Sequence, residues 1–132
     1  MDEKENLAIQ EATDKANKRE LLLEDAIELT SKFPHSHQAQ CLLGFVYFQK
    51  DDYKKCIKQI KKSFSYGKST TAYNVYAQAY MKMNQKKEAK EAFLEALKIN
   101  KNDLVTLTNY AGFLGQVGEF SESIAIVKKL TL

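Results

Sequence analysis

Two histidines and a cysteine lie within seven residues of one another and have the side-chain types that bind metals: His35, His37 and Cys41. If this segment is helical, His37 and Cys41 are about one turn apart. A zinc site of this kind needs four ligands, and no fourth candidate follows at a recognisable spacing. The alternative is a loop histidine beside Pro34, a histidine at a helix start and a half-buried thiol. We therefore predict no metal and no cofactor.

Catalytic motifs are missing from the sequence. It contains no GxSxG, Walker loop, HExxH or CxxC. The two cysteines, Cys41 and Cys56, are expected on partnered helices, with Cys56 a packed free thiol rather than half of a redox pair. Glu88, Glu91 and Glu95 recur at helical spacing on a solvated face, where carboxylates ordinarily lie. We predict that the chain is not an enzyme and has no small-molecule substrate.

Five lysines fall within a nine-residue stretch and form a candidate basic patch: Lys54, Lys55, Lys58, Lys61 and Lys62. Such a patch suits nucleic acid, an anionic lipid surface or an acidic protein partner; the alternative is a solvated helix face. Arginine occurs once, as Arg19, and aromatic residues do not alternate with these lysines, so nucleic acid is disfavoured. Among the binding interpretations, an acidic protein partner is preferred.

Composition and charge limit the class of protein. The 132 residues are 44% hydrophobic with a net charge of +3, which predicts one folded domain. The longest apolar run, Cys41–Phe48, has eight residues, and a membrane-spanning helix needs about 20. Residues 1–36 carry nine acidic against five basic side chains, so the positive charge lies in residues 37–132. With only two cysteines, we expect a cytoplasmic protein without membrane insertion.

Helical periodicity dominates the chain. In residues 86–99 the apolar side chains recur at i, i+3, i+4, i+7 and i+8, forming the stripe of an amphipathic helix: Ala89, Ala92, Phe93, Ala96 and Leu97. Turn-forming residues interrupt the sequence every 12 to 15 residues. The pattern predicts an all-α fold of short helices joined by short turns.

An internal repeat of 33 to 34 residues sets the register of these helices. Small residues, bulky residues and turn residues each advance together by this interval: Gly44, Ala77 and Ala111; Tyr47, Tyr80 and Leu114; Asp51, Asn84 and Gly118. The small residues Gly44 and Cys56 are expected to admit aromatic side chains of their partner helices. The turn residues are expected to adopt a left-handed backbone or an Asx turn.

This spacing resembles the tetratricopeptide repeat, with Leu43-Gly44, Tyr47 and Ile60 in the first clear unit and Ala77, Tyr80, Ala89, Phe93 and Ala96 in the second. The resemblance implies a right-handed α-solenoid of antiparallel helix pairs. Units are expected at 37–69, 70–103 and 104–132, the last truncated or uncapped. Residues 1–36 match weakly, since Gln10 and Thr13 fill the small and tyrosine positions, and are expected to form a degenerate or capping pair.

In this family the first helix of each unit lines a concave groove that binds a peptide or helix of another protein. Carried over by register, the predicted groove residues are Gln38, Cys41, Phe45, Phe48, Asn74, Gln78, Met81, Lys82, Val105, Asn109 and Gln116. Asparagine amides can bond both backbone groups of an extended peptide. The alternative for the two phenylalanines is packing against the preceding helix pair. The positions that clamp a terminal carboxylate in chaperone-binding relatives hold Cys41, Phe45, Val75, Val105 and Asn109, which disfavours that activity.

The function implied by the resemblance is a protein-interaction scaffold or adaptor. A narrower alternative is a bacterial pilus-assembly or secretion-chaperone protein, because Leu107–Leu114 is similar to a segment of pilus-assembly repeats. The other alternative is binding of anionic surfaces or nucleic acid through the basic patch. Ile124, Val127 and Leu130 are expected to leave the last helix pair uncovered, which predicts self-association through this pair or a longer repeat array.

Overall fold

The computed structural model describes residues 2–131, which form eight α-helices and no strand: α1 (Glu3–Asn17), α2 (Leu23–Lys32), α3 (His37–Gln49), α4 (Tyr53–Ser63), α5 (Thr70–Lys82), α6 (Lys86–Ile99), α7 (Leu104–Gln116) and α8 (Phe120–Thr131). The predicted all-α class is therefore confirmed. The chain divides into two compact units, Met1–Lys68 and Ser69–Leu132. Met1 and Leu132, at the outer ends of the predicted segments 1–36 and 104–132, lie outside the described residues.

Three helix pairs close through the same left-handed turn. Asp51, Asn84 and Gly118 have φ angles of +61°, +59° and +87°. In each case the next residue's N–H donates to the carbonyl five residues earlier, on Tyr47, Tyr80 and Leu114, at 3.0, 2.9 and 2.8 Å. This hydrogen bond caps the helix end and reverses the chain. Of the two turn types expected from the sequence, the left-handed one is found.

The first helix pair uses the same turn at a position that the sequence register missed. Arg19 has φ +60°, and the Glu20 N–H donates to the Lys15 carbonyl at 2.8 Å. Ala12 precedes this turn by seven residues, as Ala77 precedes Asn84, and is buried. The small position is thus Ala12 and not Gln10, because Arg19 lies 32 residues before Asp51 instead of 33 or 34.

Close approach of α3 and α4 depends on Gly44. A Cβ atom at this position would lie 2.5 Å from Ile60 Cδ1, far inside van der Waals contact. Gly44 therefore admits an aliphatic side chain, and the expectation of an aromatic partner was wrong. The remaining core of the first unit joins α1, α2 and α3 through residues such as Ala16, Ala26, Leu29 and Val46.

An aromatic cluster joins α6 to α7 in the second unit. Phe93 is fully buried, with its ring centroid 5.6 Å from those of both Tyr110 and Phe113. In contrast, α8 contributes no buried residue, and Phe120, Ile124 and Val127 are 63%, 55% and 47% exposed. Within the described part of the chain, no helix combines the length and apolar character needed to span a bilayer.

Candidate functional site

The predicted groove residues of the first unit differ in accessibility. Gln38 is exposed, Phe45 and Phe48 are half-buried, and Cys41 is buried. Phe45 packs against the core formed by α1, α2 and α3, while the Phe48 ring contacts Tyr53 edge-on at 5.5 Å. Packing against the preceding pair, the alternative left open for Phe45, is therefore observed.

Cys41 was expected in the groove, but its side chain belongs to the interior. It is 6% exposed, and burial raises the pKa of its thiol to about 12. The pKa of Cys56, which is fully buried, is raised to about 12 by the same cause. Both cysteines are free, so Cys56 is the packed thiol that was predicted. Neither thiol is available to a ligand at neutral pH.

In the second unit the predicted residues are distributed over one face of α5 and one face of α7. Gln78, Met81 and Asn109 are half-buried, whereas Lys82, Val105 and Gln116 are exposed. Asn74, Gln78, Met81 and Lys82 recur at i, i+4, i+7 and i+8 on α5, and Val105, Asn109 and Gln116 recur at i, i+4 and i+11 on α7. We call this surface the α5–α7 face.

Asn74 joins the two helices of the α5–α7 face through its side chain. It is 5% exposed, and its Nδ2 donates to the Thr70 carbonyl and to Thr106 Oγ1, both at 2.8 Å. Asn74 Oδ1 accepts from Asn109 Nδ2 at 3.2 Å. The expectation that Asn74 contacts a ligand directly is corrected, because every polar atom of this side chain already has a partner inside the protein.

The direction of this network is set by an aspartate. Asp103 caps α7 by accepting from the Thr106 N–H at 3.0 Å, and its carboxylate also accepts from the Thr106 hydroxyl at 2.6 Å. An ionised carboxylate only accepts, so Thr106 must offer its lone pair to Asn74 Nδ2. Asn74 is then left with Oδ1 as an acceptor for Asn109. One N–H and the carbonyl oxygen of the half-buried Asn109 amide are consequently not needed by this network.

The two histidines border a cavity of about 430 Å³ in the first unit, lined by Glu5, Phe33, Pro34, His35, Ser36, His37, Gln38 and Tyr66. The His35 ring contacts Tyr66 edge-on at 5.3 Å. His37 Nδ1 donates to the Ser63 carbonyl at 2.9 Å. Among residues 2–131, no three His, Cys, Asp or Glu side chains are grouped so as to hold a metal ion. The fold thus does not assemble a metal site from His35, His37 and Cys41.

All five lysines of the predicted basic patch are exposed on α4. Four of them, without Lys54, line a cavity of about 650 Å³ together with three polar residues of the same unit; the full lining is Tyr47, Lys55, Lys58, Gln59, Lys61, Lys62 and Ser65. We call it the lysine cavity. The sequence indicated the charge but gave no sign of a concave site, because Tyr47 comes from α3.

Comparison with known proteins identifies the repeat. A family model described as anaphase-promoting complex, cyclosome, subunit 3 matches residues 13–96. The chain belongs to this tetratricopeptide-repeat family. The TPR repeat-containing protein YpiA of Bacillus subtilis (strain 168) is 33% identical over 117 residues, which are 88% of this chain and 27% of YpiA. The chain therefore spans about a quarter of this relative's length.

Solved structures agree with this fold. A tetratricopeptide repeat protein from Parabacteroides merdae has a TM-score of 0.76 at 18% identity, covering 96% of this chain and 51% of that one. YrrB, described as a TPR protein with an unusual peptide-binding site, has a TM-score of 0.68 at 20% identity, covering 90% of this chain and 63% of that one. The fold is thus that of a protein-interaction scaffold, and proteins of this type are typically non-catalytic.

Proposed function

We propose that the chain is a scaffold or adaptor that binds a peptide or helix of another protein on the α5–α7 face. The observation that carries this proposal is the network ending at Asn109. Its amide is oriented by Asn74 and retains one donor and one acceptor, the pair of groups that an extended peptide backbone can satisfy. A preoriented amide binds with less loss of side-chain entropy than a mobile one.

The surroundings of Asn109 support an amphipathic ligand. Val105 is 62% exposed one turn before it, and Met81 is half-buried on α5. An apolar side chain and a deformable thioether suit the anchor residues of a bound segment. Lys82 supplies the positive charge of this face. The ligand is therefore expected to combine apolar side chains with a neutral or acidic character.

The test uses peptides selected for binding to the whole chain from a random dodecapeptide library. Asn109→Ala should weaken the selected peptides about tenfold, since an unpaired buried peptide group costs about 1–3 kcal/mol. Asn102→Ala is the matched control, because it makes the same change at an exposed residue between α6 and α7. Equal affinities of the two variants would exclude Asn109 from the binding site. If only Lys58→Glu abolishes binding, the ligand binds the basic patch instead.

The pilus-assembly or secretion-chaperone alternative and a cytoplasmic location stay predictions. A secretion chaperone should co-purify with a polypeptide that aggregates when it is expressed alone. Affinity purification of the chain from its native cells, followed by solubility measurements on each captured protein, separates a chaperone from an adaptor.

A further inference from the structure

The lysine cavity concentrates positive charge on one side of α4. Lys58, Lys61 and Lys62 have no carboxylate within ion-pair distance among the described residues. Lys55 is the exception, because its Nζ lies 3.8 Å from Asp52 Oδ2 and 5.8 Å from the centroid of the Tyr47 ring. Three neighbouring ammonium groups without counter-charges repel one another and favour an anion.

The distribution of charge along α4 favours a ligand with several spaced anionic groups. Lys55 and Lys62 are seven residues apart, so their Cα atoms are separated by about 10 Å along the helix axis. An extended polypeptide covers this distance with about three residues at roughly 3.3 Å each. Lysine side chains bind as separate point charges, so consecutive carboxylates match the cavity better than one compact phosphate does.

The other side chains of the cavity disfavour nucleic acid and lipid. The lining contains no arginine, the residue that pairs with phosphates in a bidentate manner. Its one aromatic ring, on Tyr47, is covered by the ammonium of Lys55 and is not open for stacking with a base. The site is concave and carries no exposed large apolar side chain, which a membrane-surface site would use as an anchor.

We propose that the lysine cavity is a second binding site, separate from the α5–α7 face, for an acidic polypeptide segment with several consecutive Asp or Glu residues. Tyr47 and Ser65 contribute hydroxyl groups at its border. The Gln59 amide does not contribute, because its Nε2 is bonded to the Gln40 carbonyl and side-chain oxygens. The ligand therefore contacts mainly Lys58, Lys61 and Lys62.

Fluorescence anisotropy with labelled octaglutamate tests this proposal on the whole chain, at about 50 mM salt. Lys58→Glu should weaken binding about three- to tenfold, because it replaces an attraction by a repulsion of the size measured for exposed ion pairs. Lys54→Glu is the matched control: it makes the same charge change on the same helix, outside the cavity lining. Its effect should stay below about twofold. Both positions are exposed, and circular dichroism checks that the variants fold.

Four outcomes would overturn the proposal. Equal losses in Lys54→Glu and Lys58→Glu would show a diffuse charge effect instead of a site. Octaglutamine binding as tightly as octaglutamate would exclude charge recognition. Tighter binding of oligothymidylate, or of vesicles containing phosphatidylserine, would assign the cavity to nucleic acid or to a membrane. Dimers that form in ultracentrifugation and are lost in Lys58→Glu would assign it to the acidic residues 2–32 of a second copy.

Discussion

Gly44 on α3 and Ile60 on α4 form a close contact between the two helices. The Ile60 side chain occupies the space where a Cβ atom on residue 44 would be, 2.5 Å from Cδ1 and 2.8 Å from Cγ1. Ile60 is fully buried, so it cannot move into solvent to make room. The distance between α3 and α4 therefore depends on the absence of a side chain at Gly44.

Gly44→Ala is expected to lower the free energy of unfolding by about 1–3 kcal/mol through overpacking, measured by urea denaturation. Ile60→Val removes the nearer of the two contacting atoms at a cost of about 0.5–1.5 kcal/mol. The double variant should be more stable than the sum of the single changes indicates. Additive effects would show that residues 44 and 60 do not compete for the same space.

Asn74→Ala should destabilise the second unit by about 1–3 kcal/mol, because it removes an oriented amide and leaves Thr106 and Asn109 without a buried partner. Gln78→Ala, one turn further along α5 and half-buried, is the control and should cost less. Thermal unfolding of both variants measures the difference. A similar melting temperature for the two would contradict a structural role for Asn74.

The left-handed turns predict opposite effects of glycine at two equivalent positions. Arg19→Gly should stabilise the protein by about 1 kcal/mol, because a non-glycine residue is strained at φ +60°. Arg19→Ala keeps the strain and controls for loss of the exposed side chain. Gly118→Ala should destabilise by a similar amount, and its Cβ would meet no atom within 4 Å. Any loss at residue 118 therefore measures backbone strain alone. Chemical denaturation that shows no gain for Arg19→Gly would contradict the turn assignment.

The buried thiols predict a loss of stability at high pH. An ordinary thiol in the unfolded chain ionises near pH 9, whereas burial holds the pKa of Cys56 at about 12. Between these values the folded chain keeps a proton that the unfolded chain releases, so the free energy of unfolding falls as the pH rises. The slope is about 1.4 kcal/mol per pH unit for each thiol. Cys56→Ala should show a shallower decrease between pH 9 and 11 in urea titrations; an unchanged slope would mean that Cys56 ionises in the folded state.

Self-association through α8 stays a prediction that its exposed apolar side chains support. Ile124 is 55% exposed, and replacing it by Glu should abolish concentration-dependent dimers, because burying an unpaired carboxylate is costly. Lys128→Glu changes another exposed residue of the same helix and should leave the dimers intact. Sedimentation velocity at increasing concentration measures both variants. A wild-type chain that stays monomeric at every concentration would refute the prediction.

The helix pairs could be predicted because their determinants are local. The backbone conformations at Asp51, Asn84 and Gly118 depend on residues near each turn, and these recur at a nearly constant interval. The first pair was harder to align, because five residues separate α1 from α2 where three separate the helices of each later pair. A fixed period therefore selected Gln10 in place of Ala12.

The candidate site was less predictable, because it depends on contacts between residues distant in the sequence. Asn74 has the sequence signature of a groove residue, but its amide bonds to Thr106, 32 residues away. A small rotation of α5 decides whether such a side chain faces solvent or the next helix. Tyr47 and the lysines of α4 form a cavity only once α3 and α4 are packed. Sequence spacing alone contains neither fact.

The turns at Asp51, Asn84 and Gly118 also have a kinetic consequence. Each joins helices that are separated by three residues, so the ends of the connecting segment are close together before the helices pack. Closing a segment of this length takes tens of nanoseconds, and a short helix forms within about a microsecond. Each helix pair can therefore assemble without a search over distant parts of the chain. Low contact order of this kind is associated with folding in microseconds to milliseconds.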